Sequence, residues 1–439
     1  MNMRRSIWIL GDQLAEGHSA LALADKSRDV VFMAESRKNC SRLRFHKIKL
    51  AMGFSAMRHF AKTLRESGWD VDYHSMADSP DYFAALSRHL GKFKPEGLLV
   101  MEPNSFFERE AVQKIAKRAL VPLVFTPPVQ FLGARGDFIA WASGKKRLLM
   151  ESHYRLMRER LGILIDADGT PEGGRWNLDS ENRKTVADWL KEGSPQPPPP
   201  PPGHSHDEIT REVIDQVEHW FPNAPGRAAE LRFPVTRSQA IEELRDFVAH
   251  RLGKFGAYED LMLSGQPRLF HSALSAPINL GLLSPLECVE AAVTAYRTGR
   301  VPLNSTEGFV RQIIGWREFI NGVYWLKMPD YAASNALRAE RPLPGFFYTA
   351  DTEMRCLRET LSEVLGSAYN HHIQRLMILG NFMLLAGINP QEGLRWFSEM
   401  YADAFDWVMA ANVLGMSLHA DGGFMATKPY AASAFLSKL

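Results

Sequence analysis

Ser6-Ile7-Trp8-Ile9-Leu10-Gly11-Asp12-Gln13 is the stretch that decides the fold of the N-terminal part. A short apolar run that breaks at a glycine reads as a buried strand feeding a loop. Val30–Ala34, Val71–His74, Leu98–Met101 and Val121–Phe125 repeat that pattern. Between the second and third runs, Phe45, Ile48, Met52, Met57, Phe60 and Leu64 recur roughly at helical spacing. Strands separated by helices imply crossover connections and a doubly wound parallel sheet. Ligands of such sheets sit at the carboxyl ends of the strands, where Gly11-Asp12-Gln13 falls. The turn is not GxGxxG, so the dinucleotide fingerprint is absent.

Outward from this α/β domain (1–125), residues 126–234 read as a basic interdomain linker. It carries Gly144-Lys145-Lys146-Arg147, Tyr154-Arg155-Leu156-Met157-Arg158-Glu159-Arg160 and Gly173-Gly174-Arg175-Trp176-Asn177. The tract Pro197 to Pro202 favours extended polyproline II and reads as a spacer. From 235 to 439 the pattern is helical throughout, with breaks at Gly265–Pro267, Pro285, Pro302, Pro342–Pro344 and Pro390. The expected fold class is therefore α/β at the N-terminus plus an all-helical C-terminal domain.

Composition excludes several classes. The 439 residues include 45% apolar and 23% charged side chains, as in an ordinary globular protein. No apolar run approaches the roughly 18 residues of a membrane span, and Ile7–Leu10 is too short for a signal-peptide core. Cytoplasmic residence and a monomer are the expectations. Cys40, Cys288 and Cys356 lie far apart without CxxC, so neither a disulfide framework nor a metal site is expected. With 52 cations against 50 acids, any nucleic-acid contact must come from local clusters.

Three stretches of the helical domain could carry chemistry. In His271-Ser272-Ala273-Leu274-Ser275 two hydroxyls stand at a helix start, suited either to phosphate oxygens or to plain N-capping. In Arg311-Gln312-Ile313-Ile314-Gly315-Trp316-Arg317-Glu318, Gln312 and Trp316 share a helix face. They could hold a heteroaromatic ligand, or Trp316 could be core with an Arg317–Glu318 pair outside. In Tyr369-Asn370-His371-His372-Ile373-Gln374-Arg375 the adjacent histidines point about 100° apart on a helix. One could serve as a general acid near neutral pH, or both could be structural.

At these residues the sequence resembles the photolyase and cryptochrome superfamily, specifically the bacterial iron–sulfur (6-4) photolyases and related cryptochromes. Gly11-Asp12-Gln13-Leu14, Phe54-Ser55-Ala56-Met57-Arg58-His59-Phe60, Gly173 to Asn177, Gly308 to Glu318 and His371 to Met377 carry the resemblance. Gly422-Gly423-Phe424 and Thr427-Lys428-Pro429-Tyr430-Ala431-Ala432-Ser433 complete it. The resemblance implies an antenna-type α/β domain and FAD folded inside the helical domain. It places Ser272, Leu274 and Ser275 near the pyrophosphate with Tyr258 close by, and Gln312, Trp316 and Arg317 along the cofactor cavity. Arg375 and Asp403 match a salt-bridged pair beside the isoalloxazine. His372, with His371 adjacent, matches the histidine thought to donate a proton to the lesion, and Tyr430 would lie near the flipped nucleotide. Lys145, Lys146, Arg147 and Arg183 would touch phosphates of UV-damaged DNA.

The chain departs from the family at four places. Cys356 matches the first of four cluster cysteines, and the sequence ends at Leu439 before the others would appear, so no iron–sulfur cluster is expected. Glu35-Ser36-Arg37-Lys38-Asn39 keeps one carboxylate of the lumazine pattern and replaces the other by Asn39, which argues against that antenna chromophore. Trp396 matches the photoreduction relay, but Tyr348 stands where Trp is usual and Phe397 where Tyr is usual. Met409 replaces a carboxylate expected opposite flavin N5. The leading expectation is a (6-4) photolyase-like enzyme. The alternative is a blue-light sensor that binds FAD and has lost repair.

Overall fold

A computed structural model describes residues 4–426 and 428–431. Thr427, Ala432 and Ser433 of the C-terminal motif lie outside the described residues. The five strands are β1 (Ser6–Trp8), β2 (Val30–Ala34), β3 (Val71–His74), β4 (Leu98–Met101) and β5 (Leu123–Thr126). All pair in parallel, in the order β3-β2-β1-β4-β5, with Ser6 opposite both Val30 and Leu98. The three central strands are wholly buried, because helices cover both faces of a parallel sheet. The doubly wound sheet expected from the alternating runs is the one formed.

Chain order reverses between β1 and β4, where a crevice is expected at the carboxyl ends. Protein fills it. Gln13, fully buried, donates to the Met101 carbonyl at 2.7 Å, while Gln130 donates to the Asp12 carbonyl at 2.6 Å. Gly11 is needed here, since a Cβ would stand 3.1 Å from the Met57 sulfur. The loop after β1 is thus a structural plug.

The chain forms two compact units, each discontinuous in sequence. The first comprises residues 1–130, 203–240 and 276–284; the second comprises 131–202, 241–275 and 285–439. Residues 126–234 are therefore shared between the units rather than standing apart as one linker. In the first unit the helix Glu208–Trp220 lies on Lys47–Glu66 through buried Val213 and Val217. Lys47 pairs with Glu218 at 2.5 Å, and Arg58 donates to Gln216 at 2.6 Å. Asp207 caps that helix, accepting from Thr210 N–H.

The second unit is helical. Buried charge organises it. Arg158 donates to the carbonyls of Ile163, Leu164 and Trp176. Glu307 accepts from Tyr154 at 2.9 Å and from Arg311 at 2.7 Å. The proline tract is tied into this unit, since Arg251 donates to the Pro199 carbonyl at 2.5 Å. Three helices carry a π-helical stretch: Arg311–Arg317, Gln374–Gly380 and Ala410–Ser417. Each widened turn rotates side chains out of the 3.6-residue register, an arrangement concentrated at functional sites. No helix among the described residues is long and apolar enough to cross a membrane.

Candidate functional site

Two of the π-helical stretches pack at Gly380. A Cβ there would lie 1.9 Å from the Ser417 hydroxyl, so glycine permits the approach. Arg375 is one turn earlier on the first of these helices. Its guanidinium grips Asp403 with two bonds, Nη1 to Oδ1 at 2.9 Å and Nη2 to Oδ2 at 3.2 Å. Nε donates to the Asn370 carbonyl at 2.8 Å, and the guanidinium lies 4.0 Å over the Tyr401 ring. Tyr401 in turn donates to Asn370 Oδ1 at 2.8 Å. Asn370 also reaches Glu363, which accepts from Gln374 at 2.5 Å. All three guanidinium nitrogens are engaged, which sets the direction of the Asp403 carboxylate.

Ser275 donates to the same carboxylate at 2.6 Å, so its hydroxyl serves Asp403 rather than capping its own helix. The pair is sheltered: Arg375 is 15% and Asp403 9% exposed in their side chains. The Asp403 charge raises Arg375 against the opposing effect of burial. Ser275, Asp403 and Arg375 therefore converge as the sequence implied, joined by Asn370 and Tyr401. Asn370 stood in the quoted stretch Tyr369 to Arg375, but nothing in the sequence assigned it or Tyr401 a role.

His371 is buried and stacks on His271, ring centres 4.5 Å apart and 6° from parallel. His271 Nε2 and His371 Nδ1 are buried without a hydrogen-bond partner among the described residues. Burial and the neighbouring positive groups hold both imidazoles neutral, His271 at about 3 and His371 well below its ordinary value. His372 has accessible surface. It is nevertheless crowded by protein, and this together with the Arg375 charge lowers it to about 4. Burial thus lowers all three imidazoles below their ordinary value.

Gln312 is accessible and donates to the Gly308 carbonyl at 3.2 Å, with Trp316 half-buried on the same helix. Arg317 turns elsewhere. It lies between the rings of Phe131 at 4.2 Å and Trp407 at 5.0 Å, and burial lowers it to about 10. Glu318 faces it at 3.9 Å and accepts from Leu132 and Gly133 N–H. The Arg317–Glu318 pair is thus interior, which the sequence alternative had put outside. Leu274 and Met409 are buried, and Ser272 accepts weakly from Leu274 N–H. Tyr258 belongs to a separate apolar cluster with Trp189, Leu261, Leu269 and Phe270, its hydroxyl donating to Glu192.

Trp396 is buried and donates to the Phe347 carbonyl at 3.1 Å. Tyr348 donates to Glu399 at 2.9 Å, and Phe397 stacks on Tyr401 at 5.6 Å. Lys145, Lys146 and Arg147 are exposed; Lys145 donates to the Trp141 carbonyl. Arg183 is already paired with Asp179. Tyr430 is 40% exposed, and burial of its remainder together with Asp179 raises its phenol. In the first unit Glu35 has both oxygens occupied, by Arg58 at 2.8 and 3.1 Å, Tyr73 at 2.6 Å and Met76 N–H at 2.7 Å. Among the described residues no group of three or more His, Cys, Asp or Glu could hold a metal.

The model of the family described as deoxyribodipyrimidine photo-lyase-related protein matches residues 7–233. A curated relative from Agrobacterium fabrum, named a (6-4) photolyase, is 44% identical over 435 residues. That match covers 98% of this chain and 84% of the relative. Among solved structures, a bacterial class III photolyase from Agrobacterium tumefaciens aligns with a TM-score of 0.61 at 12% identity, covering 98% of this chain and 82% of that one. A cryptochrome from Synechocystis sp. PCC6803 aligns at 0.67 and 11% identity, covering 99% and 85%. At those identities the two structures show a shared fold. The family model and the 44% identical relative carry more, and the chain belongs to the deoxyribodipyrimidine photolyase-related family.

Proposed function

We propose that the chain is an FAD-dependent blue-light flavoprotein of the (6-4) photolyase type, acting on UV-damaged DNA. The observation that carries this reading is the Arg375–Asp403 pair with Ser275 on the same carboxylate. A carboxylate held rigidly by an arginine is an acceptor for a ring N–H of a heteroaromatic cofactor. Unpartnered nitrogens of His271 and His371, and accessible Ser275, Gln312 and His372, fit a polar ligand lying against this wall. Flavin, when bound, supplies light-driven one-electron chemistry.

The chain's own residues then have separable tasks. Arg375 and Asp403 orient the cofactor. His372, its imidazole favoured in the neutral form by burial and by the Arg375 charge, would offer a ring N–H as a hydrogen-bond donor to negative charge developing on a lesion. Tyr430 and the exposed Lys145, Lys146 and Arg147 would meet the strand. Met409 is buried, and by the family resemblance its thioether, a weak acceptor only, would stand near the flavin ring. The sensor alternative gains nothing specific: the relative called a cryptochrome is similar in fold alone.

The test is incubation of the FAD-loaded, chemically reduced protein with an oligonucleotide carrying a (6-4) photoproduct, under blue light. Recovery of the undamaged bases, read by chromatography, is expected. Stable FAD binding without any lesion reversal would favour the sensor, and failure to retain FAD would sink both readings.

A further inference from the structure

Residues 36–65 contain nine lysines and arginines and no acidic residue, in a chain whose charges otherwise nearly balance. The fold sorts these cations. Those turned inward find carboxylates: Lys47 meets Glu218 at 2.5 Å, and Arg58 meets Glu35 at 2.8 Å. Arg37 and Arg42, at the start of the stretch, do not. Arg37 lies over the Trp220 ring at 4.0 Å, and Arg42 donates only to the Asn39 carbonyl at 3.3 Å. Neither has a carboxylate partner among the described residues. Lys38 is exposed and only loosely paired, 3.7 Å from Asp81. Exposed Arg44 reaches the Asn223 carbonyl, just past Trp220 in the chain.

Trp220 is itself 39% exposed, with one ring face under Arg37 and His219 at its edge, 4.8 Å away. The partly exposed indole stands beside these outward cations, Arg37 lying over its ring. Guanidinium groups suit phosphate, and an exposed indole suits an unstacked base.

We propose that this face of the α/β unit binds single-stranded nucleic acid, with Arg37, Lys38, Arg42 and Arg44 on the phosphates and Trp220 beneath a base. The site goes beyond the lesion-directed reading, whose residues all belong to the helical unit. Its role is to hold strand outside the lesion, without sequence preference.

The experiment uses the full, FAD-loaded chain and a short fluorescein-labelled oligothymidylate free of lesions, with anisotropy followed across a salt series. Each phosphate contact contributes about 0.7 to the slope of log affinity against log salt for single strands. The variant Arg37→Gln/Lys38→Gln/Arg42→Gln should lower that slope by about two. Trp220→Ala should weaken binding by at least about 5-fold, and Trp220→Phe by less. An unchanged slope in the triple variant, or unchanged binding by Trp220→Ala, would overturn the proposal. So would cation-dependent binding of phosphatidylserine vesicles with oligothymidylate binding unaltered, which would assign the face to a membrane. Loss of lesion reversal with strand binding intact would count against the proposed function and not against this surface.

Discussion

Replacing Asp403 by Asn tests the site most directly. The substitution keeps shape but removes the charge that holds the Arg375 guanidinium, which is 15% exposed. Breaking one partner of a buried pair typically costs about 3–5 kcal/mol, because the remaining charge is desolvated without compensation. At about 1.4 kcal/mol per decade, that is roughly two to three and a half decades in the folding equilibrium. Urea unfolding followed by circular dichroism measures it on cofactor-free protein, and flavin absorbance after gel filtration measures retention separately. Asp403→Asn should show both losses. The pair Arg375→Met/Asp403→Leu removes both charges and should recover much of the stability, since neither group is then stranded. Flavin should remain lost, because Ser275 and the ring N–H have no acceptor. Wild-type stability and flavin retention in Asp403→Asn would refute the reasoning, and flavin retention by the double variant would show that the pair is structural only.

Three further outcomes follow from the geometry. His372→Ala should leave FAD bound and cut (6-4) photoproduct reversal by about 10²–10⁴-fold, measured in single-turnover assays; normal repair would assign the ring to structure. Gly380→Ala should destabilise the chain by about 1–3 kcal/mol through contact with the Ser417 hydroxyl, and adding Ser417→Ala should recover part of it in a thermal melt. Stability should also fall with acid in two stages. Below about pH 6.5 the unfolded chain protonates histidines that the folded one keeps neutral, His271 to about 3 and His372 to about 4. Below about pH 4, Asp72 adds its share. Its hydrogen bonds from His89 at 2.8 Å, His74 at 2.9 Å and Lys92 at 3.0 Å outweigh burial and hold it at about 2. Its stabilisation of about 2 kcal/mol is present above its unfolded value and lost as pH falls toward 2. Asp72→Asn should flatten that lower limb in pH-dependent urea titrations.

The sequence by itself determined the sheet and the family. Apolar runs bounded by Gly11 and similar breaks are local signals, and burial on both faces of a parallel strand leaves no alternation to misread. Long strings such as Gly308 to Glu318 and His371 to Met377 likewise carried the resemblance without any coordinates. Tertiary structure decided what depends on distance between remote residues. Ser275 and Asp403 are 128 positions apart, and only folding brings the hydroxyl to the carboxylate. Arg317 and Glu318 follow a helical pattern that permits an outer face, yet a π-helical turn ends there and both are interior. Glu35 survived in the antenna pattern, but its oxygens proved to be taken by Arg58, Tyr73 and Met76. The proton state of the histidines could not be read from their adjacency, because it is set by burial and by Arg375, four residues from His371 along the helix. Periodicity reports which way a side chain points along its own element. What that side chain meets, and how much water remains there, is fixed only when distant elements pack.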